Sequence, residues 1–251
     1  MANISINIIE SSSKGNCILL NDGHTSLFLD FGSNHINIQN SLNLNGISKQ
    51  TIIGALITHE HIDHIRAIES ETFKNIPFYL TNGTYSLLKH LTRDFRIIKF
   101  NKWYKMSNSN WKFKAFPTLH NALEPACFLI KNKNKSFLYL TDTKYFVNKK
   151  FKGCTCYIIE SNFGCEFIDN KIKLNIHNNF EIRNHLNLEE NEKLFNRYKT
   201  RKTKLFLLSH LSSKFIKCEL IDLVVDRLQK KNPTIQINYI NPNKINYYKW
   251  E

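Results

Sequence analysis

The chain has little glycine and proline and no long apolar run. Its 251 residues include 8 Gly and 5 Pro, which excludes a collagen-like or linker composition, and 42% hydrophobic residues exclude a disordered chain. No uninterrupted apolar stretch approaches the roughly 18 residues of a membrane span. The opening residues MANISINIIESSSKGN lack the basic and apolar regions of a signal peptide. We therefore expect a soluble, cytoplasmic protein that makes no membrane contact.

Cysteine is sparse and scattered. The six thiols belong to Cys17, Cys127, Cys154, Cys156, Cys165 and Cys218. No CxxC pair occurs, so a structural zinc site formed by residues 154, 156 and 165 is less favoured than reduced, buried thiols. Reduced thiols agree with a cytoplasmic location.

Acidic residues are scarce relative to basic ones. The chain has 21 Asp and Glu against 35 Lys and Arg, a formal net charge of +14. This charge favours anionic partners, with nucleic acid or a nucleotide foremost. The alternative is compositional, because Lys, Asn and Ile are abundant throughout, and the lysines then form a solvated surface. The candidates for a phosphate track, which a solvated face explains equally well, are Arg93, Arg96, Lys131, Lys133 and Lys135.

Short apolar runs of β type alternate with helical patterns along the chain. No Gly/Ser linker separates them, so we expect one domain over residues 1–251, a four-layer αββα sandwich of the α/β class. An Asn-rich stretch at 169–180 has the composition of a surface excursion. The predicted strands are Ile4–Ile9, Cys17–Leu20, Thr25–Asp30, Ile52–Thr58, Phe78–Leu80, Trp111–Phe116, Ala126–Ile130, Phe137–Leu140, Tyr157–Ile159, Leu205–Leu208 and Ile235–Ile240.

Two helices have clear sequence signals. The first is predicted over Lys214–Lys230, with a serine pair before it as a cap. The second is predicted over 188–199, because Asn187 and Glu190 have the spacing of a capping box. The buried stripe predicted for the first helix consists of Ile216, Leu220, Leu223, Val224 and Leu228.

The motif HEHIDH follows directly on the apolar run Ile52–Thr58. It places His59, His61, Asp63 and His64 in one loop, and imidazole and carboxylate groups are ligands of zinc and related metals. A tetrahedral catalytic zinc takes three protein ligands and a water, so these four groups with further ligands predict two ions. We expect zinc, with manganese as the alternative.

Three more candidate ligands also follow apolar strands. His120 comes after Trp111–Phe116, Asp142 after Phe137–Leu140, and His210 after Leu205–Leu208. Loops at one edge of a mixed sheet bring together residues that are distant in sequence. These side chains are therefore expected to converge with the HEHIDH loop.

HEHIDH followed by His120, Asp142 and His210 resembles the ligand motifs of the metallo-β-lactamase superfamily. Residues 11–17 (SSSKGNC), 29–32 (LDFG), 141–143 (TDT), 160–162 (ESN) and 209–212 (SHLS) resemble the YycJ/WalJ/VicX-like branch, whose members are regarded as DNA exonucleases. This resemblance implies the αββα fold and two metal sites. By the resemblance, the first metal is held by His59, His61 and His120, the second by Asp63, His64 and His210, and Asp142 bridges them.

Two positions depart from that branch. His120-Asn121-Ala122 replaces the usual His-Asp-Ala, and Asn184-His185-Leu186-Asn187-Leu188 replaces the usual Gly-His-Leu-Ser-Asn. His185 precedes a predicted helix N-terminus, where an anion is favoured, and we expect it to contact a substrate phosphate or to protonate the leaving oxygen. The alternative is a histidine packed in a loop. Residues 11–16 are expected to form a small-residue loop near the metals, or simply a turn between strands.

Two divalent ions that share a water suit phosphodiester hydrolysis, and Asp63 is also a candidate to orient the nucleophile. The predicted pair of metal ions, the positive net charge and the resemblance to a branch of DNA exonucleases together predict a nuclease, most specifically an exonuclease. The alternative is a cyclic-nucleotide phosphodiesterase, a reaction that similar folds carry out in phage enzymes that destroy nucleotide second messengers. A lactonase or thioesterase and a non-catalytic metal-binding module are less favoured. The sequence indicates no oligomeric state.

Overall fold

Two seven-stranded sheets form the centre of the molecule. A computed structural model of the chain describes residues 4–146, 148–164, 184–212, 218–241 and 246–250. The first sheet contains β1 (Ile4–Ser12), β2 (Gly15–Asn21), β3 (Ser26–Leu29), β4 (Ile52–Leu56), β5 (Phe78–Leu80), β6 (Phe95–Ile97) and β14 (Asn246–Trp250), in the order β14-β1-β2-β3-β4-β5-β6. The second contains β7 (Trp103–Lys105), β8 (Trp111–Pro117), β9 (Ala126–Asn132), β10 (Lys135–Leu140), β11 (Cys156–Glu160), β12 (Leu205–Ser209) and β13 (Gln236–Tyr239), in the order β13-β12-β11-β10-β9-β8-β7.

Helices lie on the outer faces of both sheets. The α-helices are α1 (His35–Leu44), α2 (Ile62–Ile65), α3 (Asn82–Leu88), α4 (Leu188–Tyr198) and α5 (Cys218–Lys231), and short 3-10 turns occupy Lys49–Thr51, Glu71–Phe73 and Lys149–Phe151. None of the helices in the described ranges is long and apolar enough to cross a bilayer.

Three apolar clusters pack the two sheets against each other and against the helices. Residues on the facing sides of the two sheets, such as Ile6 and Phe128, form the central cluster. A second cluster joins the outer side of the first sheet to α1, through contacts of residues such as Phe28 and Ile38. A third joins the second sheet to α4 and α5, with Phe195 among its members. The predicted four-layer αββα sandwich is therefore confirmed.

The strand directions bring the functional loops to one edge. Strands β3 to β6 are parallel to one another, as are β10 to β13. Both β8 and β10 pair antiparallel with β9, so they run in the same direction. The loops after β8, β10 and β12 consequently leave the second sheet at the same edge, as the prediction requires.

Every predicted strand overlaps an observed one. The sequence did not indicate β6, β7 or β14, and the first two are three-residue strands with exposed positions, so they lack an apolar alternation. The helix predicted over 188–199 is α4, and its Asn187–Glu190 capping box is present.

The prediction for α5 was wrong in one respect. Val224 and Leu228 are buried as predicted, but Leu223 is 68% exposed and Ile221, which was not predicted, is buried instead. The clusters settle this orientation because Ile221 packs with Leu211 and the other two contact the second sheet. The predicted start of that helix, including Ile216, lies outside the described residues, as do Cys165 and the Asn-rich stretch 169–180.

Candidate metal centre

All seven predicted ligands meet at one edge of the sandwich. The residues of HEHIDH follow β4 and enter α2, while the other ligands follow strands of the second sheet. The donor atoms form overlapping groups in which each atom lies within 4.8 Å of the others. These groups include His59, His61 and His120; Asp63, His64 and His210; and His59, His64 and Asp142.

The first group consists of three imidazole nitrogens. His61 Nδ1 lies 3.0 Å from His59 Nε2 and 3.3 Å from His120 Nε2. Two nitrogens that bind one tetrahedral zinc at ordinary bond lengths are about 3.3 Å apart. The three rings therefore have the spacing of ligands around a single ion.

The second group combines two imidazoles with a carboxylate. Asp63 Oδ2 is 3.3 Å from His64 Nε2 and 3.8 Å from His210 Nε2. His210 Nε2 is a buried polar atom without a hydrogen-bond partner. A buried nitrogen that faces two carboxylates without a partner fits a position next to a metal.

Asp142 lies between the two groups. Its carboxylate oxygens are 3.0 Å from His64 Nε2 and 3.6 Å from His210 Nε2, and Oδ1 is 3.9 Å from His120 Nε2. One residue thus reaches ligands of both groups, which is the arrangement of a bridging carboxylate.

Buried groups orient the ligand rings. Asp30 Oδ2 is 2.8 Å from His64 Nδ1 and also accepts a 2.8 Å hydrogen bond from the Tyr139 hydroxyl. His120 Nδ1 lies 3.2 Å from the Asn184 carbonyl oxygen. Because one ring nitrogen contacts an acceptor, the other is left to bind a metal.

Glu160 has a comparable role for His185 and His210. It is fully buried, and Oε2 is 2.9 Å from His185 Nδ1 and 3.5 Å from His210 Nδ1. The backbone N–H groups of Thr143 and Leu186 donate to Oε1. The carboxylate is therefore held while it orients two histidines, and His185 Nδ1 is in turn 3.3 Å from Asp142 Oδ1.

Sequence reasoning assigned no role to Asp30, Glu160 or Glu60. An acidic residue at the end of an apolar strand is the signal that identifies the first two. Glu60 accepts a 2.8 Å hydrogen bond from Leu123 N and holds the loop after His120. Residues 11–16 lie at the hairpin turn that joins β1 and β2, and they approach the candidate ligands, because Asn16 Nδ2 is 3.2 Å from His64 Nε2.

The backbone at the centre is strained at three positions. Asp30, Asp142 and His210 have φ angles of 55°, 49° and 52°, in the left-handed region that disfavours side chains. Such conformations persist where the surrounding structure enforces them, and they concentrate at functional sites. Gly32 is also required, because a Cβ there would lie 1.6 Å from the Asp63 carbonyl oxygen.

The charges of the centre suit cation binding. Burial alone would raise the pKa values of Asp63 and Asp142, but the adjacent imidazoles outweigh burial and hold both pKa values below the ordinary range. Burial lowers the pKa of His210, but Asp142, Asp63 and Glu160 together outweigh burial and raise that pKa to about 10. The ionised carboxylates therefore attract positive charge, which divalent cations supply while leaving the histidines neutral.

The remaining predicted residues do not join this centre. Arg93 and Arg96 pair with Glu71 and Asp94. Lys131, Lys133 and Lys135 lie at the β9–β10 turn, at the opposite end of these strands from Asp142, where they line a cavity of about 680 Å³.

The thiols of Cys17, Cys127, Cys154 and Cys156 are free and buried. Burial raises the pKa of Cys154 to about 11 and also raises that of Cys156, so both thiols stay protonated. No candidate metal group within the described ranges contains a cysteine.

Comparisons with known proteins agree with this geometry. Residues 37–210 match the family described as Beta-lactamase superfamily domain. The chain is 26% identical to an exodeoxyribonuclease, YycJ, of Bacillus anthracis, and the match covers 66% of this chain and 65% of the relative, just under two thirds. It is 25% identical to the exodeoxyribonuclease WalJ of Streptococcus pneumoniae, over 82% of this chain and 80% of the relative.

A solved structure supports the fold. The metallo-β-lactamase fold protein YhfI of Bacillus subtilis superimposes with a TM-score of 0.71, at 14% identity and 99% coverage of both chains. At this identity the likeness concerns the fold alone.

Proposed function

Because this chain belongs to the metallo-β-lactamase superfamily, we propose that it is a metal-dependent phosphodiester hydrolase, most specifically a nuclease of exonuclease type. The observation that carries the proposal is the pair of donor groups joined by Asp142. Since these groups take ligands from residues 59 to 210, we also propose that residues 1–251 form one domain.

The centre suits two divalent ions, for which we propose zinc, with manganese as the alternative. The first would be held by His59, His61 and His120, the second by Asp63, His64 and His210, with Asp142 shared. Such a pair supplies an activated water and stabilises charge on the attacked phosphate. A structural ion is usually enclosed by four ligands, so seven donors disfavour a non-catalytic module.

Asp63 and His185 are the chain's proposed catalytic groups. The Asp63 side chain is 19% exposed, so its carboxylate can accept a hydrogen bond from the attacking water and orient it, while Asn16 Nδ2 donates to its Oδ2 over 3.3 Å. Glu160 and Asp142 orient His185 through Nδ1, which leaves Nε2 to carry the proton to the leaving oxygen.

We propose a polynucleotide substrate because of the net charge of this chain and the names of its relatives. A formal charge of +14 attracts polyanions, and the relatives matched over most of this chain are named exodeoxyribonucleases. Asn121 and Asn187, which depart from the resembled pattern, leave DNA and RNA both as candidates. Asn187 caps α4, a role that serine fills equally well, so this departure preserves the helix cap.

A substrate panel tests this function. Purified protein, supplied separately with zinc and manganese, is incubated with labelled single-stranded DNA, RNA, cyclic nucleotides and bis-p-nitrophenyl phosphate. We expect processive shortening of a polynucleotide. Cleavage of cyclic nucleotides alone would replace the nuclease by the cyclic-nucleotide phosphodiesterase, and inactivity on every phosphodiester would reject the hydrolase.

His185→Ala is expected to lower the hydrolysis rate by roughly 10²–10³-fold, the usual scale for one proton donor or charge-stabilising group. Metal content should stay unchanged, since the two ions have other ligands. The matched control is His90→Ala, which removes an exposed histidine outside the centre. A variant with the wild-type rate would identify His185 as a packing residue.

A further inference from the structure

An indole surrounded by lysines lies on the second sheet, away from the metal centre. Trp103 is 38% exposed, and the ammonium groups of Lys112, Lys114 and Lys131 lie 5.5, 5.1 and 5.2 Å from the centroid of its ring. We call these four residues the Trp103 surface. Three cations over a single aromatic ring form a local concentration of positive charge.

The strand register explains why these side chains meet. Trp103 is opposite Lys114 in the β7–β8 pair, and Lys112 is opposite Lys131 in the β8–β9 pair. Alternation along β8 places Phe113 in the central core, so its neighbours point to the outer face of the sheet. Three strands therefore contribute to one outward-facing cluster.

The sequence around the cluster does not neutralise it. Residues 95–159 contain thirteen Lys and Arg but only two acidic residues, Glu124 and Asp142. Glu124 accepts a hydrogen bond from Gly83 N, and Asp142 belongs to the metal centre. None of the ion pairs among the described residues includes a lysine of the Trp103 surface. The three ammonium groups repel one another, and an anion would relieve that repulsion.

We propose that the Trp103 surface binds single-stranded nucleic acid, with a base stacked on the indole and backbone phosphates paired with the lysines. An exposed aromatic ring beside a basic track is the combination that binds single strands without strong sequence preference. Bases in a duplex are already stacked on one another and offer no free face. Inorganic phosphate would use the lysines but not the indole.

The Trp103 surface includes residues of the strand that leads to the metal centre. Lys114 lies three residues, about 10 Å along the strand, before Pro117, and His120 follows three residues after Pro117. A strand of several nucleotides can contact both sites. The idea that this surface delivers substrate rests on the proposed nuclease function, whereas binding itself does not.

Fluorescence anisotropy with labelled oligonucleotides tests the binding, in an Asp63→Ala background that prevents cleavage. Trp103→Ala should weaken binding of a single-stranded 12-mer about tenfold, the size expected for one lost base stack, and Trp103→Phe should recover most of it. Lys112→Gln/Lys114→Gln/Lys131→Gln should reduce the slope of log affinity against log salt by about 2. The charge-matched control changes Lys89, Lys193 and Lys230, which are exposed on other elements, to Gln.

The outcomes separate the two proposals. The Trp103 and lysine variants, made with Asp63 intact, should hydrolyse bis-p-nitrophenyl phosphate at the wild-type rate, because this small substrate needs only the metal centre. Wild-type affinity in Trp103→Ala, or equal losses for duplex DNA and heparin, would overturn the Trp103 surface proposal. Wild-type protein that binds oligonucleotides but hydrolyses no phosphodiester would reject the proposed function and leave the binding surface intact.

Discussion

Asp63→Ala is expected to lower phosphodiester hydrolysis by about 10⁴-fold or more, because the change removes a proposed metal ligand together with the group proposed to orient the nucleophile. The metal content should fall from two ions per chain toward one. Asp63 belongs to the second donor group, so the first group, which consists of His59, His61 and His120, remains complete in this variant. Rates with bis-p-nitrophenyl phosphate and elemental analysis of the purified protein measure the two effects.

Two further variants make this result specific. His61→Ala removes a ligand of the first group and should also abolish hydrolysis, with loss of the other ion. Asp226→Ala, an exposed carboxylate on α5, should leave rate and metal content unchanged. Both inactive variants should keep substantial affinity for polyanions, since dispersed lysines supply it by counterion release. Full activity in Asp63→Ala would refute the metal mechanism, and protein that never exceeds one ion per chain would refute the dinuclear centre.

Asp30→Ala is expected to lower the free energy of unfolding by about 3–5 kcal/mol, the scale for breaking a buried ionic contact. The carboxylate is fully buried and accepts hydrogen bonds from Thr58 N, Thr58 Oγ1 and the Tyr139 hydroxyl, in addition to its contact with His64. Alanine would leave these donors unsatisfied in the interior. Urea denaturation of the metal-free protein measures the loss.

A surface carboxylate provides the comparison for that variant. Asp94 is half-exposed and pairs with Arg96, so Asp94→Ala should cost at most about 1 kcal/mol. Asp30→Asn should fall between the two, because the amide retains an acceptor but can no longer pair with a charged His64. A loss below about 1 kcal/mol for Asp30→Ala would show that the network around Asp30 does not stabilise the fold.

The sequence by itself determined the fold class and the candidate metal ligands that the structure brings together. Apolar strands that end in polar ligands are a local pattern, and HEHIDH places four donors in six consecutive positions. Apolar runs and hydrophobic alternation are likewise local features of the sequence. Every strand predicted from them overlaps a strand of the structure. The capping box at Asn187 is equally local, since it depends on residues three apart.

Only the tertiary structure decided which groups support those ligands. Asp30 and Tyr139 are 109 residues apart, the first just after a strand of the first sheet and the second in a strand of the second sheet. Glu160 reaches His185 across 25 residues. The buried face of α5 likewise depends on what packs against it, which is why Leu223 is exposed. The lysines around Trp103 meet through the register of three strands. Sequence patterns specify the direction of a side chain from its own strand or helix, whereas its neighbours depend on how distant segments pair and pack.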